Sequence, residues 1–296
     1  MRIALTGASG FIGSTIARHL LDAGHSVTAL VRETSRRDHI ETVVDRFVVG
    51  NQDDESAWPE LLDEADAVVH NAVDWAPLKG RDFEAHLASN VIGSLRLLHA
   101  SAPRPFVFMS TIAVHHDMRP RWDGVVDEDH PSRPGTWYGA GKATVEAHLF
   151  AEHHSTGRHT VALRPCAVYG IDPDLERAIG TPILRSIHDR TPYERAGGGK
   201  FVHVDDVAAA TLGALTHADA AGQVFNLVDC YARWTDWAVL AAEVLGIEAT
   251  TEHTAPAEPK NMFTPDAART LGARLDRGHA GIRAQLEALR PLVLGS

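Results

Sequence analysis

The chain has 296 residues, of which 44% are hydrophobic and 23% charged, and its net charge is −11. These values are ordinary for a globular protein with a substantial core, and the negative charge argues against nucleic acid or an anionic membrane surface as a partner. No apolar run approaches the ~20 residues of a spanning helix. Two cysteines and eighteen histidines form neither a disulfide framework nor a complete metal-ligand set. We therefore expect a cytoplasmic protein without a metal site.

Strand-like and helix-like segments alternate along the first two-thirds of the chain. The predicted strands are Arg2–Thr6, Ser26–Val31, Arg46–Val49, Ala67–His70, Pro105–Met109 and Thr160–Arg164. Helical periodicity covers Phe11–Ala23, Asp82–Ala100 and Trp137–Glu152. This alternation is typical of a parallel sheet with helices on both faces. The predicted fold class is therefore α/β, with a Rossmann-type doubly wound sheet.

The pattern becomes irregular in two stretches. Residues 171–200 contain three prolines and three consecutive glycines, and residues 229–270 mix one helix with proline-rich loops. Insertions beyond the strand ends commonly form a smaller lobe over the ligand. We therefore predict a dinucleotide-binding domain over 1–170, which also receives 201–228, and a small substrate-binding lobe formed by 171–200 and 229–296.

Gly7, Gly10 and Gly13 follow the first predicted strand and open the first predicted helix. Glycine permits the tight turn and lets the backbone approach a pyrophosphate, whose charge is favoured at a helix N-terminus. A glycine triplet alone is common in turns. In this strand–turn–helix context it predicts dinucleotide binding.

The end of the second predicted strand bears on which dinucleotide binds. NAD sites commonly have a carboxylate there, whereas this strand is followed by Arg32, Arg36 and Arg37. Arginine donors suit a 2′-phosphate, so the sequence favours NADP. Glu33 is a nearby carboxylate, which keeps NAD as the alternative. The arginines could also be solvated loop residues without any role in cofactor binding.

Two further patterns carry proton chemistry. Tyr138 and Lys142 are four residues apart in a predicted helix and share a face, where a cation favours the phenolate. Ser110 and Thr111 end a predicted strand, where a hydroxyl can hydrogen-bond a substrate carbonyl in the ligand crevice. Each pattern alone has a common structural explanation, as a helix pair or a loop cap. Behind the glycine turn they predict the proton-transfer centre of a hydride-transfer enzyme.

These motifs resemble those of the extended short-chain dehydrogenases/reductases of the NAD-dependent epimerase/dehydratase family. Eight segments match in order over most of the chain: Thr6–Gly13, Gly50–Asp53, Ala67–Ala72, Asn90–Gly93, Ser110–Val114, Arg164–Gly170, Phe201–Ala208 and Asp266–Gly272. Within the second segment, Asn51 stands where the family usually has Asp.

The resemblance implies a role for each matching position. Tyr138 would be the general acid/base, Lys142 would hold the nicotinamide ribose and lower the Tyr138 pKa, and Thr111 would be the catalytic hydroxyl with Ser110 beside it. A homodimer formed through the helices at 82–100 and 137–152 is also implied. With the arginines added, the expected cofactor contacts are Gly7, Ser9, Gly10, Phe11, Ile12, Gly13, Arg32, Arg36, Asn51, Gln52, Asn71, Ala72, Asn90, Lys142, Pro165 and Val168.

Departures from the family pattern narrow the expected reaction. Thr111 is not followed by the Asp-Glu pair of the family's dehydratases, which argues against dehydration. Ala167 and Gly199 stand where nucleotide-sugar enzymes commonly have Asn and Arg for the substrate diphosphate, so two charges would be poorly paired. Compensating cations are available at Lys200, Arg185, Arg190 and Arg195.

We therefore predict an NADP(H)-dependent oxidoreductase that interconverts a carbonyl and an alcohol on a small organic substrate, with Tyr138 as the acid/base. A nucleotide-sugar epimerase or 4-ketoreductase is the alternative. A non-catalytic NADP-sensing regulator is a third hypothesis, which the intact Tyr138, Lys142 and Thr111 oppose. Candidates for an aromatic pocket are Trp75, Trp122, Trp137 and Trp234, with core packing the commoner explanation.

Overall fold

The computed structural model describes residues 1–116, 124–191, 193, 195–248 and 255–295. Trp122 and parts of the predicted substrate lobe lie outside these residues. The strands are β1 (Arg2–Thr6), β2 (Ser26–Val31), β3 (Arg46–Val49), β4 (Ala67–His70), β5 (Phe106–Met109), β6 (Val125–Val126), β7 (Thr160–Pro165), β8 (Ala167–Tyr169), β9 (Gly198–His203), β10 (Gln223–Leu227), β11 (Cys230–Arg233) and β12 (Met262–Phe263). The helices are α1 (Phe11–Asp22), α2 (Trp58–Leu62), α3 (Trp75–Gly80), α4 (Phe83–His86), α5 (Gly93–Ala100), α6 (Trp137–Thr156), α7 (Gly180–His188), α8 (Val204–Thr216), α9 (Trp234–Leu245), α10 (Asp266–Arg269) and α11 (Gly278–Leu294).

A seven-stranded parallel sheet forms the larger part of the molecule, in the order β10-β7-β5-β4-β1-β2-β3. Its central strands are buried along their whole length, as expected when helices cover both faces. Separate hydrophobic clusters pack on the two faces. The predicted Rossmann-type α/β fold is confirmed, and the strand order reverses at β1 and β4, where ligands bind in such sheets.

The helix predicted over Asp82–Ala100 is interrupted in its middle. It consists of α4, a π-helical segment (Leu87–Ile92) and α5. A π-helical turn holds one extra residue and therefore changes which side chains face the sheet. Asn90 lies within this segment and points toward the residues that follow β4.

A smaller unit begins at β8, directly beyond the carboxyl end of β7. Its three-stranded sheet has the order β11-β9-β8, and α7, α9 and α11 pack around a core that includes Phe201 and Trp237. Between these elements the chain returns to the large sheet, because α8 packs on α1 and β10 joins β7. The division into a dinucleotide domain and a substrate lobe stays a prediction. Within the described ranges, no helix has both the length and the apolarity needed to cross a membrane.

Candidate active site

The glycine turn brings the ends of β1 and β4 into close contact. Gly7 has a φ of +74°, and a Cβ there would lie 2.9 Å from the Ala72 nitrogen. A Cβ on Gly13 would lie 2.1 Å from the Gly7 carbonyl oxygen, so the first turn of α1 packs directly on the loop. The Thr6 hydroxyl accepts hydrogen bonds of 3.1 Å from the backbone nitrogens of Asn71 and Ala72. These contacts require glycine and fix the crevice floor.

The start of α1 suits a pyrophosphate. The helix begins at Phe11 after the N-cap residue Gly10, without a capping side chain and without an acidic residue in its first turn. Its first N–H groups therefore face the crevice with the positive end of the helix dipole. Ser9 and Ile12 are half-buried beside this turn. These residues fit a dinucleotide, as the sequence predicts.

The arginines after β2 differ in how they are engaged. Arg36 forms an ion pair of 2.9 Å with Asp38 and donates to the Pro173 carbonyl oxygen at 3.1 Å. The Arg37 guanidinium lies 5.9 Å from the centroid of the Phe47 ring. Arg32 is exposed, and in the described part of the chain its guanidinium has no ion pair. Arg32 and Arg36 are both exposed and stay predicted cofactor contacts, and Arg32 is the one without an ion-pair partner among the described residues.

Gln52 and Asn90 support the crevice from below. The Gln52 amide nitrogen, which is buried, donates to Asn90 Oδ1 at 2.9 Å and to the Ser89 hydroxyl at 3.0 Å. Asn90 in turn accepts a hydrogen bond from the Asp74 nitrogen at 2.8 Å and donates to the Asp74 carbonyl oxygen at 2.9 Å. The amide nitrogens of both side chains already donate to acceptors within the protein. The two side chains therefore shape the site and do not offer free donors to a cofactor. Asn51 is exposed beside them.

The chain crosses from the large sheet to the small one between β7 and β8. Pro165 ends β7 and is buried, and Val168 in β8 is half-buried. The two residues therefore lie between the sheets, at the edge of the crevice.

Cys166 and Cys230 are free cysteines, and burial raises the pKa of both thiols. At neutral pH they are protonated and unreactive.

Tyr138 and Thr111 come together at the carboxyl end of β5. Tyr138 is half-buried in the first turn of α6, which the Thr136 side chain caps, and Thr111 begins the short helical turn after β5. Burial is the largest influence on the pKa of Tyr138 and raises it, while a hydrogen bond with the Thr111 side chain lowers it. The phenol is therefore the dominant form at neutral pH and is available as a proton donor.

Lys142 lies one helical turn after Tyr138 and is buried. Its Nζ donates to the Met109 carbonyl oxygen at 2.6 Å and lies 4.3 Å from the centroid of the Phe108 ring. Burial lowers the pKa of Lys142 to about 7, and the nearby Glu146 carboxylate opposes this shift. Lys142 is therefore only partly charged at neutral pH. The expected lowering of the Tyr138 pKa by Lys142 does not appear: burial raises this pKa, and the Thr111 side chain is the group that opposes the rise.

Ser110 does not share the position of Thr111. Its hydroxyl donates to Glu146 Oε1 at 2.5 Å, and the same carboxylate binds the Arg164 guanidinium through contacts of 2.9 and 2.7 Å. All three side chains are buried. Arg164 also contacts His115 Nε2 at 3.2 Å, and burial followed by the Arg164 charge lowers the pKa of His115 to about 4. The structure thus separates the two hydroxyls, and we keep Thr111 alone beside Tyr138.

Glu146 is a site residue that sequence reasoning missed. Tyr138, Lys142 and Glu146 follow one another at intervals of four residues along α6, so a second step of the same spacing could have identified it. Its partner Arg164 lies in a segment that resembles the family pattern, without any local sign that it pairs with α6. Among the described residues, no group of three or more His, Cys, Asp and Glu side chains is arranged to hold a metal ion.

Comparisons with known proteins identify the family of the chain. The model of the NAD dependent epimerase/dehydratase family matches residues 3–227. A 4-hydroxy-2-methyl-3-oxo-4-farnesyl-3,4-dihydroquinoline-1-oxide ketoreductase of Stigmatella aurantiaca is 30% identical over 77% of this chain and 68% of its own length. A 3-diazoavenalumate denitrifying reductase of a Streptomyces species is 29% identical over 95% of both chains.

A solved structure gives the same result for the fold. The UDP-glucose 4-epimerase of Thermus thermophilus, in complex with NAD, is similar with a TM-score of 0.79 and 25% identity, covering 98% of this chain and 99% of the epimerase. The chain therefore belongs to the NAD-dependent epimerase/dehydratase family and is an NAD(P)-dependent enzyme of the short-chain dehydrogenase/reductase type.

Proposed function

We propose that the protein is an NADP(H)-dependent reductase that converts a carbonyl to an alcohol on a small organic substrate. The observation that carries this proposal is the position of Tyr138 beside Thr111 at the carboxyl end of β5, one helical turn from a buried Lys142. A proton donor and a second hydroxyl then face the crevice that the glycine turn opens. Relatives named as a ketoreductase and a reductase support reduction as the reaction.

The reduced nicotinamide, when bound, would supply the hydride. Tyr138 donates its proton to the carbonyl oxygen as negative charge develops there, and Thr111 hydrogen-bonds the same oxygen. Lys142 holds a partial positive charge behind the phenol and stabilises the phenolate that remains. Glu146 and Arg164 fix the helix face that bears Lys142 and exclude water from it.

Arg32 supports NADP as the preferred cofactor. It is exposed at the end of β2, while Arg36 and Arg37 are engaged elsewhere. NAD remains the alternative, because Glu33 is also exposed there and similar structures contain NAD. Replacing Arg32 by Asp should weaken NADPH binding and bring the NADPH/NADH ratio of kcat/KM toward NADH. An unchanged ratio would contradict the preference for NADP.

Two further predictions accompany this function. A homodimer through α4–α5 and α6 remains proposed, supported by the exposed apolar side chains of Phe83 in α4 and of Ile92 just before α5. A cytoplasmic location also remains a prediction. Sedimentation equilibrium of the purified protein tests the dimer, since a monomer at micromolar concentration would contradict it.

The experiment for the function follows the absorbance of NADPH and NADH with a panel of ketones and aldehydes beside nucleotide-diphosphate 4-keto sugars. We expect carbonyl-dependent oxidation of the cofactor by the wild type. Tyr138→Phe should reduce kcat by about 10²- to 10⁴-fold, because the proton donor is lost. Its dissociation constant for the cofactor should stay unchanged. Turnover that persists in Tyr138→Phe would refute the mechanism.

A nucleotide-sugar epimerase or 4-ketoreductase is the second candidate, and Lys200 is the observation that favours it. Lys200 is half-buried, its Nζ lies 5.5 Å from the centroid of the Phe263 ring, and it has no ion pair with any described residue. A substrate phosphate would provide one. Two of the other cations are less available, because Arg185 pairs with Glu176 and Arg195 stacks on Trp234. Turnover confined to the sugar nucleotides in the panel would select this function.

A further inference from the structure

An exposed tryptophan lies against the proposed proton donor. Trp75 is the first residue of α3, directly beyond the carboxyl end of β4, and 45% of its surface is exposed. Its ring centroid lies 5.0 Å from that of Tyr138, with an angle of 35° between the planes. The proposed proton transfer needs the tyrosine hydroxyl only. The indole beside it therefore calls for a separate explanation.

The position of Trp75 is fixed by the framework of the crevice. Asn90 holds Asp74, the preceding residue, by hydrogen bonds to both its backbone nitrogen and its carbonyl oxygen. The Asp74 side chain also accepts a hydrogen bond of 3.0 Å from the Ala76 nitrogen and thereby caps α3. Trp75 stands between these two anchors. The backbone that carries the indole is therefore fixed on both sides, which pre-organises Trp75 for contact with a ligand.

Among the described tryptophans, the exposed ones lie near Tyr138. Trp137, next to Tyr138 in the chain, is 42% exposed and stacks on Phe83 with a centroid distance of 5.2 Å. In the described part of the chain the remaining tryptophans are buried: Trp58, Trp234 and Trp237. Both exposed indoles therefore flank the tyrosine. Of the two, Trp75 is the one whose ring contacts the Tyr138 ring.

We propose that Trp75 is a specificity-determining residue that selects carbonyl compounds bearing a flat aromatic or conjugated ring, which lies against the indole. This inference rests on the proposed function, because the carbonyl oxygen must meet the hydroxyls of Tyr138 and Thr111. The group attached to the carbonyl carbon then lies within a few ångströms of the Tyr138 ring. The Trp75 indole lies at a similar distance from that ring, so the group and the indole can come into contact. A flat ring there loses contact with water and gains an offset or edge contact with the indole.

The strength of this preference can be bounded. An aromatic pair contributes a factor of about 2 to 12 in binding beyond the area that it buries. A saturated ring of similar size buries a similar area without that contribution. The protein should therefore bind acetophenone about 2- to 12-fold more tightly than cyclohexyl methyl ketone.

The test measures the dissociation constants of these two ketones for the complex of the protein with oxidised cofactor, in which no turnover takes place. Wild type, Trp75→Phe, Trp75→Leu and Trp137→Leu are compared. We expect the aromatic preference in the wild type, most of it in Trp75→Phe, and a ratio near one in Trp75→Leu. Trp137→Leu is the matched control, an equally exposed neighbouring indole whose loss should leave the ratio unchanged.

The outcomes separate this inference from the proposed function. A wild type that prefers the aromatic ketone but never oxidises reduced cofactor would refute the function alone. Carbonyl reduction with a ratio that survives in Trp75→Leu would overturn the role of Trp75 alone. A wild type without preference, or without binding of either ketone, would also overturn it. The same is true if Trp137→Leu abolishes the preference as fully as Trp75→Leu does, because the effect would then belong to the aromatic surface as a whole.

Discussion

Arg164→Met should destabilise the protein more than any substitution of a surface arginine. The Arg164 and Glu146 side chains are only 4% and 3% exposed, and they are joined by a two-point contact. Removing the guanidinium leaves a buried carboxylate with the Ser110 hydroxyl and the partly charged Lys142 as its neighbours. Breaking such a pair costs about 3–5 kcal/mol of unfolding free energy. That is a large fraction of the roughly 5–15 kcal/mol of a typical domain.

Urea unfolding followed by far-UV circular dichroism measures the effect for wild type, Arg164→Met, Glu146→Leu and the double variant. The double variant should recover most of the lost stability, because replacing both charges by apolar side chains is often close to neutral. Arg185→Met is the matched control, since Arg185 binds Glu176 through two contacts of 2.6 Å but both residues are exposed. A loss in Arg164→Met no larger than in Arg185→Met would refute this reasoning.

Two other substitutions test the crevice. Gly13→Ala should lower both the thermal midpoint and the affinity for the cofactor, because its Cβ would lie 2.1 Å from the Gly7 carbonyl oxygen. Gly80→Ala is the control, because no heavy atom lies within 4 Å of its Cβ. Equal behaviour of the two variants would contradict the packing. Lys142→Met should change the pH dependence of stability. Because burial lowers the Lys142 pKa from 10.5 to about 7, the unfolded chain binds more protons between these values. The wild type therefore gains stability with rising pH in that window, with a slope of up to about 1.4 kcal/mol per pH unit. The unfolding free energy of Lys142→Met relative to that of the wild type should therefore fall as the pH rises from 7 to 10. A relative value that stays constant over this range would contradict the lowered pKa of Lys142.

The periodic parts of this molecule could be predicted from the sequence because each depends on local spacing. The glycine turn is specified by three residues between a strand and a helix, and the common face of Tyr138 and Lys142 follows from the helical repeat. The Rossmann-type sheet follows from the alternation of strands and helices. These features need no knowledge of which distant segments meet.

The features that could not be predicted all depend on distant contacts. Arg36 is drawn to the Pro173 carbonyl oxygen, which lies 137 residues further along the chain. Ser110 turns to Glu146, and Gln52 turns to a π-helical segment that the apolar pattern does not reveal. The sequence identified the polar residues near the crevice. Only the packing shows which of them remain available to a ligand.

The central claim is that the crevice transfers a hydride to a carbonyl while Tyr138 supplies the proton. The most direct measurement is a single turnover with reduced cofactor carrying deuterium at nicotinamide C4, followed by mass spectrometry of the alcohol. The account predicts one deuterium on the carbinol carbon, delivered from one C4 epimer only, and transfer slowed by about 10²-fold or more in Tyr138→Phe. An alcohol without deuterium from both C4 epimers, or transfer at the wild-type rate in Tyr138→Phe, would contradict it.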